Sequence, residues 1–412
     1  MKQFSSTRIS RWATALALLA IAMLALVRQV SAQTEQKLHD FCSKPGCKDG
    51  LYPNGALVMD KKGNLYGTTT SGGAHNQGTV FKISASGVEK VLYSFCSKPS
   101  CTDGASPFDG LVMDKKGNLY GTTYSGGTRG LGTVFEISAS GESVLYSFCP
   151  VQGCPDGANP YAGLIVDKLG NLYGTTLGGG SLNNGTVFQF SPTTGSEIVL
   201  HAFDNTPDFA TPYGGLTMDG KGNLYGTTWF GGANGSGGVY EVSPDQTETR
   251  LYDKWCAYPC TQDGDSSAAG LLLSNGTLFG TSTLGGSFAH GAVFKINIKK
   301  KKETMLYSFA GVENADGAVP FAGLITDANG NFYGTTSGGG VRGCSGGLQD
   351  GCGTVFKLSP SGTESILHRF ANDANDGVNP YGGLIMDSQS NLYGTTRMGG
   401  VNNGGTAFKI TP

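Results

Sequence analysis

Residues 64–69 read Asn-Leu-Tyr-Gly-Thr-Thr, and this segment returns six more times, with small changes, along the 412-residue chain. The spacing between successive copies is 52–60 residues. A repeated unit of this length cannot bury its own apolar face, so neighbouring units must cover one another. The repeat therefore constrains the architecture more than any other feature of the sequence. Its glycines are Gly67, Gly121, Gly174, Gly226, Gly280, Gly334 and Gly394.

Each unit contains four short apolar runs separated by turn residues. In the second unit these runs lie at 111–113, 118–123, 132–138 and 144–148. Short runs rich in β-branched and aromatic residues are typical of β-strands, and the Asp-x-x-Gly-Asn and Ser-x-x-Gly connections are typical of hairpin turns. An open stack of so many strands would expose long edges, whereas radial closure hides them. The sequence predicts an all-β fold: a seven-bladed β-propeller of four-stranded antiparallel blades.

The last unit lacks its fourth strand. It has the first three, at 383–387, 391–396 and 406–411. Residues 37–41, Lys-Leu-His-Asp-Phe, match the missing outer strand. We therefore expect the N-terminal strand to complete the last blade and close the ring.

The N-terminus has the pattern of a secretory signal. Basic residues precede the apolar stretch 13–27, and small residues follow at 30–32. This pattern predicts a cleavable signal peptide over 1–32, although an uncleaved anchor is the alternative. The mature chain, 33–412, is then one propeller with repeats of about 53 residues. No membrane span or C-terminal anchor is expected in it, which favours a secreted or periplasmic protein.

The ten cysteines fall into five close pairs. An even number of locally paired cysteines in an exported chain predicts disulfides. Zinc binding is the alternative, but each pair lies in a different repeat and zinc needs four ligands at one point. The pairs are Cys42/Cys47, Cys96/Cys101, Cys149/Cys154, Cys256/Cys260 and Cys344/Cys352.

Composition and charge argue against nucleic-acid binding. The formal net charge is −2 and the isoelectric point is near 6.2. A protein without excess positive charge lacks the electrostatic attraction to phosphates on which nucleic-acid binding depends.

The longest conserved run within the chain is Gly-Leu-x-x-Asp-x-x-Gly-Asn-Leu-Tyr-Gly-Thr-Thr-x-x-Gly-Gly, followed by Gly-Thr-Val-Phe. It is seen at 110–135, 163–188 and 323–356, among other places. This pattern resembles the GloVer tandem-repeat family over nearly all of residues 37–412. The resemblance implies a bacterial exported or surface protein with propeller-like repeats. It implies no established activity and no catalytic residues.

One face of such a propeller collects two sets of loops: those that lead into each innermost strand, and the Gly-Gly loops between the second and third strands. Each leading loop contains an aspartate at a corresponding position. These carboxylates could form a cation-binding ring at the channel mouth, or they could fix the turns by hydrogen bonds to backbone amides. The Asp-x-x-Gly-Asn turns invite a calcium interpretation, but they lack the closing glutamate of an EF-hand, and hairpin turns are favoured. The loop aspartates are Asp49, Asp103, Asp156, Asp208, Asp263, Asp316 and Asp376.

An aromatic residue precedes the innermost strand in five units, and Asn54 and Ala268 replace it in the other two. These aromatic side chains could pack between blades, or they could form a stacking surface for sugars at the channel mouth. The five are Phe108, Tyr161, Tyr213, Phe321 and Tyr381.

The residue after Thr-Thr varies from unit to unit while its surroundings barely change. It is either unconstrained surface or a ligand-specific position. The seven residues are Thr70, Tyr124, Leu177, Trp229, Thr283, Ser337 and Arg397. We predict Tyr124, Trp229 and Arg397 as ligand contacts.

The sequence contains no Ser/His/Asp order and no His-x-x-x-His motif. It therefore favours a monomeric, non-catalytic binding or scaffold module without a cofactor, whose partner is an extracellular polysaccharide or an envelope protein. The alternatives are a propeller enzyme, such as a polysaccharide lyase or hydrolase, and a purely structural surface protein. Paired carboxylates for glycoside cleavage stay open because their spacing is set in space.

Overall fold

The computed structural model describes residues 34–204, 208–253, 255–256, 263–344 and 350–412. The predicted signal peptide, 1–32, lies outside these residues. Within them, no helix has the length and apolar character needed to cross a membrane. The short helices are all of the 3-10 type, at Pro45–Cys47, Pro99–Cys101 and Val312–Asn314.

The described chain forms seven four-stranded antiparallel sheets, which confirms the predicted seven-bladed propeller. From the innermost strand outwards, blade 1 comprises Val58–Met59, Leu65–Thr69, Thr79–Ile83 and Glu89–Ser94; blade 2 Val112–Met113, Leu119–Thr123, Thr133–Ser138 and Gly141–Ser147; blade 3 Ile165–Val166, Leu172–Thr176, Thr186–Ser191 and Ser196–Ala202; and blade 4 Thr217–Met218, Leu224–Thr228, Gly238–Val242 and Glu248–Tyr252. Blade 5 comprises Leu272–Ser274, Thr277–Ser282, Ala292–Asn297 and Lys302–Ser308; blade 6 Ile325–Thr326, Phe332–Thr336, Thr354–Leu358 and Glu364–Arg369; and blade 7 Ile385–Met386, Leu392–Thr396, Thr406–Thr411 and Thr34–Asp40.

Four further two-stranded pairings join each leading loop to the Gly-Gly loop of the same blade. They are Phe209–Ala210 with Phe230–Gly231, Gly264–Asp265 with Leu284–Gly285, Gly317–Ala318 with Gly338–Gly339, and Gly377–Val378 with Met398–Gly399. In blades 1, 2 and 3 a single bridge takes this place, as between Leu51 and Ser71. The two loop sets therefore form one connected surface.

The N-terminal strand closes the ring. Thr34–Asp40 pairs antiparallel with Thr406–Thr411, and the amide of Phe41 donates to the carbonyl of Gly405 at 2.9 Å. The strand begins three residues earlier and ends one residue earlier than the predicted 37–41. Phe41 is fully buried and packs in one cluster with Leu57 of blade 1 and Ala407 of blade 7, so the first and last blades share a core.

Each junction between neighbouring blades holds one such apolar cluster. The repeated glycine of the second strand is part of this packing. Gly67 pairs with Phe81 of the third strand, and a Cβ atom at Gly67 would lie 2.6 Å from the Phe81 ring and 2.9 Å from Leu57. The glycine is needed because the aromatic ring of the next strand lies directly on its Cα.

Candidate functional site

Hydroxyl side chains at the end of the second strand, a Thr-Thr pair in every repeat except blade 5 with Thr281-Ser282, hold the loops that surround the channel mouth. The hydroxyl of Thr68 in blade 1 donates to the carbonyl of Asp109 in the leading loop of blade 2, at 2.7 Å. The second threonine acts within its own blade, since Thr69 and Thr79 join their hydroxyls at 2.8 Å. The first bond ties six of the leading loops to the preceding blade, including Thr395 to Gly55 across the closure. The exception is Thr175 of blade 3, whose hydroxyl has no hydrogen-bond partner among the described residues.

The five predicted aromatic side chains come together at the channel mouth. The Phe108 and Tyr161 rings stack with centroids 4.6 Å apart, and Tyr161 and Tyr213 lie 4.4 Å apart. On the opposite side, Phe321 and Tyr381 are nearly parallel at 4.5 Å. Tyr124 packs edge-on against Phe108 at 5.4 Å. All are half-buried. These contacts show inter-blade packing, and they also place the rings around a common opening.

Trp229 links the two groups of stacked rings at blade 5, which has no aromatic residue before its innermost strand. Ala268 occupies that position, and Trp229 of blade 4 reaches across it, 5.4 Å from Tyr213 and 6.5 Å from Phe321. The Trp229 and Phe321 rings are within 9° of parallel. The small side chain of Ala268 thus leaves the space that the indole spans.

Arg397 extends the series towards blade 1. Its guanidinium lies 5.1 Å from the ring centre of Tyr381 and 5.8 Å from that of Tyr52, so it makes cation–π contacts on both sides. Together with the aromatic residues it forms a curved series that runs from blade 2 through blades 3, 4, 6 and 7 to the leading loop of blade 1. We call this series the aromatic arc; its members are Phe108, Tyr161, Tyr213, Trp229, Phe321, Tyr381, Arg397 and Tyr52.

The arc is interrupted between blades 1 and 2 by polar side chains. Asn54 stands where the other loops have an aromatic residue, and its amide oxygen is buried without a hydrogen-bond partner. Asp109 lies beside it in the ring and accepts from the amides of Gly110 at 2.6 Å and Gly163 at 2.7 Å. Asp109 was not among the predicted site residues. The signal was available, because the corresponding residues of all six other repeats are glycine or alanine.

The arc and the polar gap surround a cavity of about 290 Å³ on the propeller axis. Asn54, Asp109 and the five aromatic residues line it, and Leu271, Leu324 and Leu384 belong to its apolar wall. Burial is the main cause that raises the pKa of both the Tyr161 and Tyr213 hydroxyls. These phenols are neutral hydrogen-bonding groups at physiological pH.

In six of the seven blades, all but blade 3 with Leu177, the variable position after Thr-Thr divides into two kinds. Thr70, Thr283 and Ser337 are buried, and their hydroxyls donate to backbone carbonyls of leading loops, as Thr70 does to Tyr52 at 3.0 Å. Tyr124, Trp229 and Arg397 instead contact the aromatic rings. The variation is therefore constrained by local packing in both groups.

The aspartates of the leading loops do not form a ring at the channel mouth. They contact the outermost strand, as in the 2.7 Å bond from the Tyr93 hydroxyl to Asp103. Each also fixes its loop: Asp103 accepts from the amide of Ser97, at the start of the loop, at 2.8 Å. The turn role is confirmed: Asp263, Asp316 and Asp376 accept from the amide of the next residue, as expected. Amides several residues before the aspartate also donate, as Ser97 does to Asp103. No group of three or more potential metal ligands occurs among the described residues.

The Asp-x-x-Gly-Asn segments are hairpin turns whose carboxylates are already occupied. In blade 1, Asp60 accepts from the amides of Lys62 and Asn64, from the Asn64 side chain at 2.7 Å and from the Tyr66 hydroxyl at 3.1 Å. Four donors use the acceptor capacity that a calcium ion would need. The hairpin interpretation is confirmed.

Four of the predicted disulfides are present: Cys42–Cys47, Cys96–Cys101, Cys149–Cys154 and Cys344–Cys352. Cys256 is also disulfide-bonded, and its predicted partner Cys260 lies outside the described residues. Disulfides persist in oxidising compartments, so these bonds agree with export.

The Gloeobacter/Verrucomicrobia repeat matches residues 27–221 and 167–348. The chain belongs to this repeat family. No curated protein matches it.

Three solved structures are similar to the chain at low sequence identity. Oligogalacturonate lyase from Vibrio parahaemolyticus is 9% identical, with coverage of 93% of this chain and 94% of that one and a TM-score of 0.49. A protein of unknown function from Bacteroides thetaiotaomicron is 12% identical, with coverage of 92% and 76% and a TM-score of 0.49. TolB from Acinetobacter baumannii is 14% identical, with coverage of 69% and 58% and a TM-score of 0.39.

Proposed function

We propose that this protein is a secreted or periplasmic, non-catalytic module that binds an extracellular polysaccharide at its channel mouth. The observation that carries the proposal is the aromatic arc, which surrounds a cavity and is interrupted by polar side chains in one place. Small-ligand sites combine apolar and aromatic walls with a few placed polar groups. Sugars present both an apolar ring face and hydroxyls, so they match such a wall.

The size of the cavity favours a sugar over an envelope protein. About 290 Å³ lies at the lower end of ligand pockets and suits a short saccharide or the end of a chain. A protein partner would instead need roughly 800 Å² of surface on each side. The envelope protein is the alternative partner.

The carboxylates favour binding over cleavage. Asp109 is the one carboxylate among the described residues that line the cavity. Glycosidases of both stereochemical classes use two carboxyl groups about the scissile bond. A lyase or hydrolase is the alternative function, and release of a shortened product from the bound polymer would establish it.

Calorimetry and a glycan array test the proposal. We expect the wild-type protein to bind a saccharide, and Tyr161→Ala and Phe321→Ala to weaken it by about tenfold or more, because each removes a ring that lines the cavity. Phe288→Ala is the matched control. This residue is 54% exposed on a Gly-Gly loop of the same face and does not line the cavity.

Unchanged affinity in Tyr161→Ala and Phe321→Ala would place the site elsewhere. Failure of the wild-type protein to bind any saccharide would favour the purely structural surface protein. Equal losses in Phe288→Ala and the cavity variants would indicate a general surface effect rather than a site at the mouth.

A further inference from the structure

The channel mouth is asymmetric, and its polar side chains lie in the gap between blades 1 and 2. Five repeats supply an aromatic residue to the mouth and blade 5 supplies Ala268, whereas blade 1 supplies Asn54. Its amide oxygen is buried and accepts no hydrogen bond from the described residues. A buried acceptor without a donor costs stability. An incoming hydroxyl or amine can provide the missing donor.

Asp109 adds a second acceptor to the same gap. Each of its carboxylate oxygens accepts one backbone amide, from Gly110 and from Gly163 of the next blade. An ionised carboxylate has about four acceptor sites, so two remain for a ligand. The amides hold the carboxylate in place on the cavity wall, where it is the one charged group of the described lining.

Arg397, the cation of the aromatic arc, is not among the residues that line this cavity. Arg397 lies over the faces of Tyr381 and Tyr52 rather than on the cavity wall. The wall of the gap is therefore acceptor-rich and negatively charged. Charge-assisted hydrogen bonds favour a cationic donor there, while a ligand carboxylate would meet Asp109 with the same sign of charge.

Resting on the saccharide-binding function proposed above, we infer that Asn54 and Asp109 form a polar subsite that selects the terminal sugar by its donor groups, with an amino sugar preferred over a uronic acid. The aromatic arc contacts the apolar face of that sugar. The polar subsite accepts hydrogen bonds from the hydroxyl and ammonium groups of the same sugar.

The test compares trisaccharides of β-1,4-linked glucosamine, β-1,4-linked glucose and α-1,4-linked galacturonic acid in mildly acidic buffer of moderate ionic strength. We expect wild-type protein to bind the glucosamine trimer at least about tenfold more tightly than the galacturonate trimer. Asp109→Ala should reduce this ratio to about threefold or less. Alanine occurs at the same position in three other blades, as at Ala162 and Ala322, so the backbone accepts it.

A charge control and a shape control accompany this variant. Glu313→Gln removes one negative charge from an exposed loop of the same face and should leave the ratio unchanged. Asn54→Tyr installs the side chain found in blades 3, 4 and 7, fills the gap, and should weaken all three trimers.

Asn54→Ala separates a binding role from a structural one. Because the amide oxygen has no partner, its removal should leave Tm unchanged or raise it, while affinity for all three trimers falls. A lower Tm would show that Asn54 supports the fold instead.

Equal wild-type affinity for the three trimers, or an unchanged ratio in Asp109→Ala, would overturn the inference while leaving saccharide binding in place. If wild-type protein binds none of the trimers and no other saccharide, the proposed function fails, and the subsite fails with it.

Discussion

At the scale of single residues, the repeated glycine of the second strand is fixed by the aromatic ring of the third. The same arrangement recurs at Gly121, where a Cβ would lie 2.6 Å from the Phe135 ring. Such a ring covers its glycine in every blade, although in blade 4 the aromatic residue is Tyr240 instead of phenylalanine. This glycine is therefore repeated because of core packing, and it gives no information about the candidate site at the channel mouth.

Gly67→Ala is therefore expected to destabilise the protein. The added methyl group would overlap the Phe81 ring in a filled core, and overpacking of this kind costs about 1–3 kcal/mol. Thermal unfolding measures the loss. Gly220→Ala is the matched control, because a Cβ there meets no atom within 4 Å and its backbone has no positive φ. Equal Tm values for the two variants would contradict the packing explanation.

The residues of the mouth were only partly predictable. The positions of Phe108, Tyr161 and Tyr381 could be selected because they recur at one place in the repeat. Their mutual stacking depends on the radius of the ring, which no local pattern encodes. The contact between Trp229 of blade 4 and Phe321 of blade 6 depends on the space over Ala268 of blade 5. The sequence around either ring does not indicate that space.

At the scale of elements, the strands could be predicted well because alternation and turn chemistry are local. The third strand of blade 7 was predicted at 406–411 and is Thr406–Thr411. The N-terminal strand was less well bounded, since Thr34–Asp40 is defined by a partner at the other end of the chain. The role of the first threonine in six of the seven repeats was missed for the same reason, because it bonds a loop 40 or more residues away in the sequence, as Thr68 does to Asp109.

The outermost strands carry a second repeated feature, a glutamate at each junction between blades. At the junction of blades 2 and 3, Glu197 faces Asp156, which accepts from the Tyr146 hydroxyl at 2.8 Å. The junction of blades 1 and 2 differs, because Lys98 contacts Glu142 at 2.9 Å. One junction thus places two carboxyl groups together, and the other pairs a carboxylate with a cation.

We expect this difference to make stability depend on pH. Burial, followed by the charge of Asp156, raises the pKa of Glu197 to about 7, above its value of 4.5 when unperturbed. Between these values the folded state holds a proton that the unfolded state has lost, so stability falls as pH rises from 4.5 to about 7. Below that window stability has the opposite dependence on pH. Burial raises the pKa of Asp60, but hydrogen bonds from Asn64 outweigh burial and hold this pKa below its usual value, so the stability that ionised Asp60 contributes is lost on acidification.

Glu197→Gln tests the assignment. It should raise Tm by roughly 2–4 °C at pH 8, where the glutamate is ionised, and leave Tm nearly unchanged at pH 4.5, where glutamine resembles the neutral acid. Glu142→Gln is the control with the opposite sign at pH 8, because it removes the partner of Lys98. A lower Tm for both variants at pH 8 would show that Glu197 is stabilising in its ionised form.

At the scale of the whole molecule, the ring is a chain of similar junctions, and only one of them joins the two ends of the sequence. Every other junction is between consecutive units, so its parts stay near one another even when the packing opens. The closing junction depends on Thr34–Asp40 and on the burial of Phe41 between the first and last blades. The channel mouth depends on it too, because Tyr52 and Asn54 face Arg397 and Tyr381 across this closure.

Loss of the N-terminal strand should therefore reduce both stability and order at the mouth. A chain that begins at residue 41 lacks the partner of Thr406–Thr411, which becomes an unpaired edge. We expect its Tm to fall by about 5 °C or more relative to a chain that begins at residue 34, with concentration-dependent association through the free edge. Differential scanning calorimetry and light scattering measure the two effects.

A synthetic peptide of residues 34–40 should restore Tm when added in excess, because it can pair in the same register. A scrambled peptide of the same composition is the control. Equal Tm values for the two chains would mean that the ring is closed by the apolar cluster alone, and rescue by the scrambled peptide would show that the edge accepts any strand.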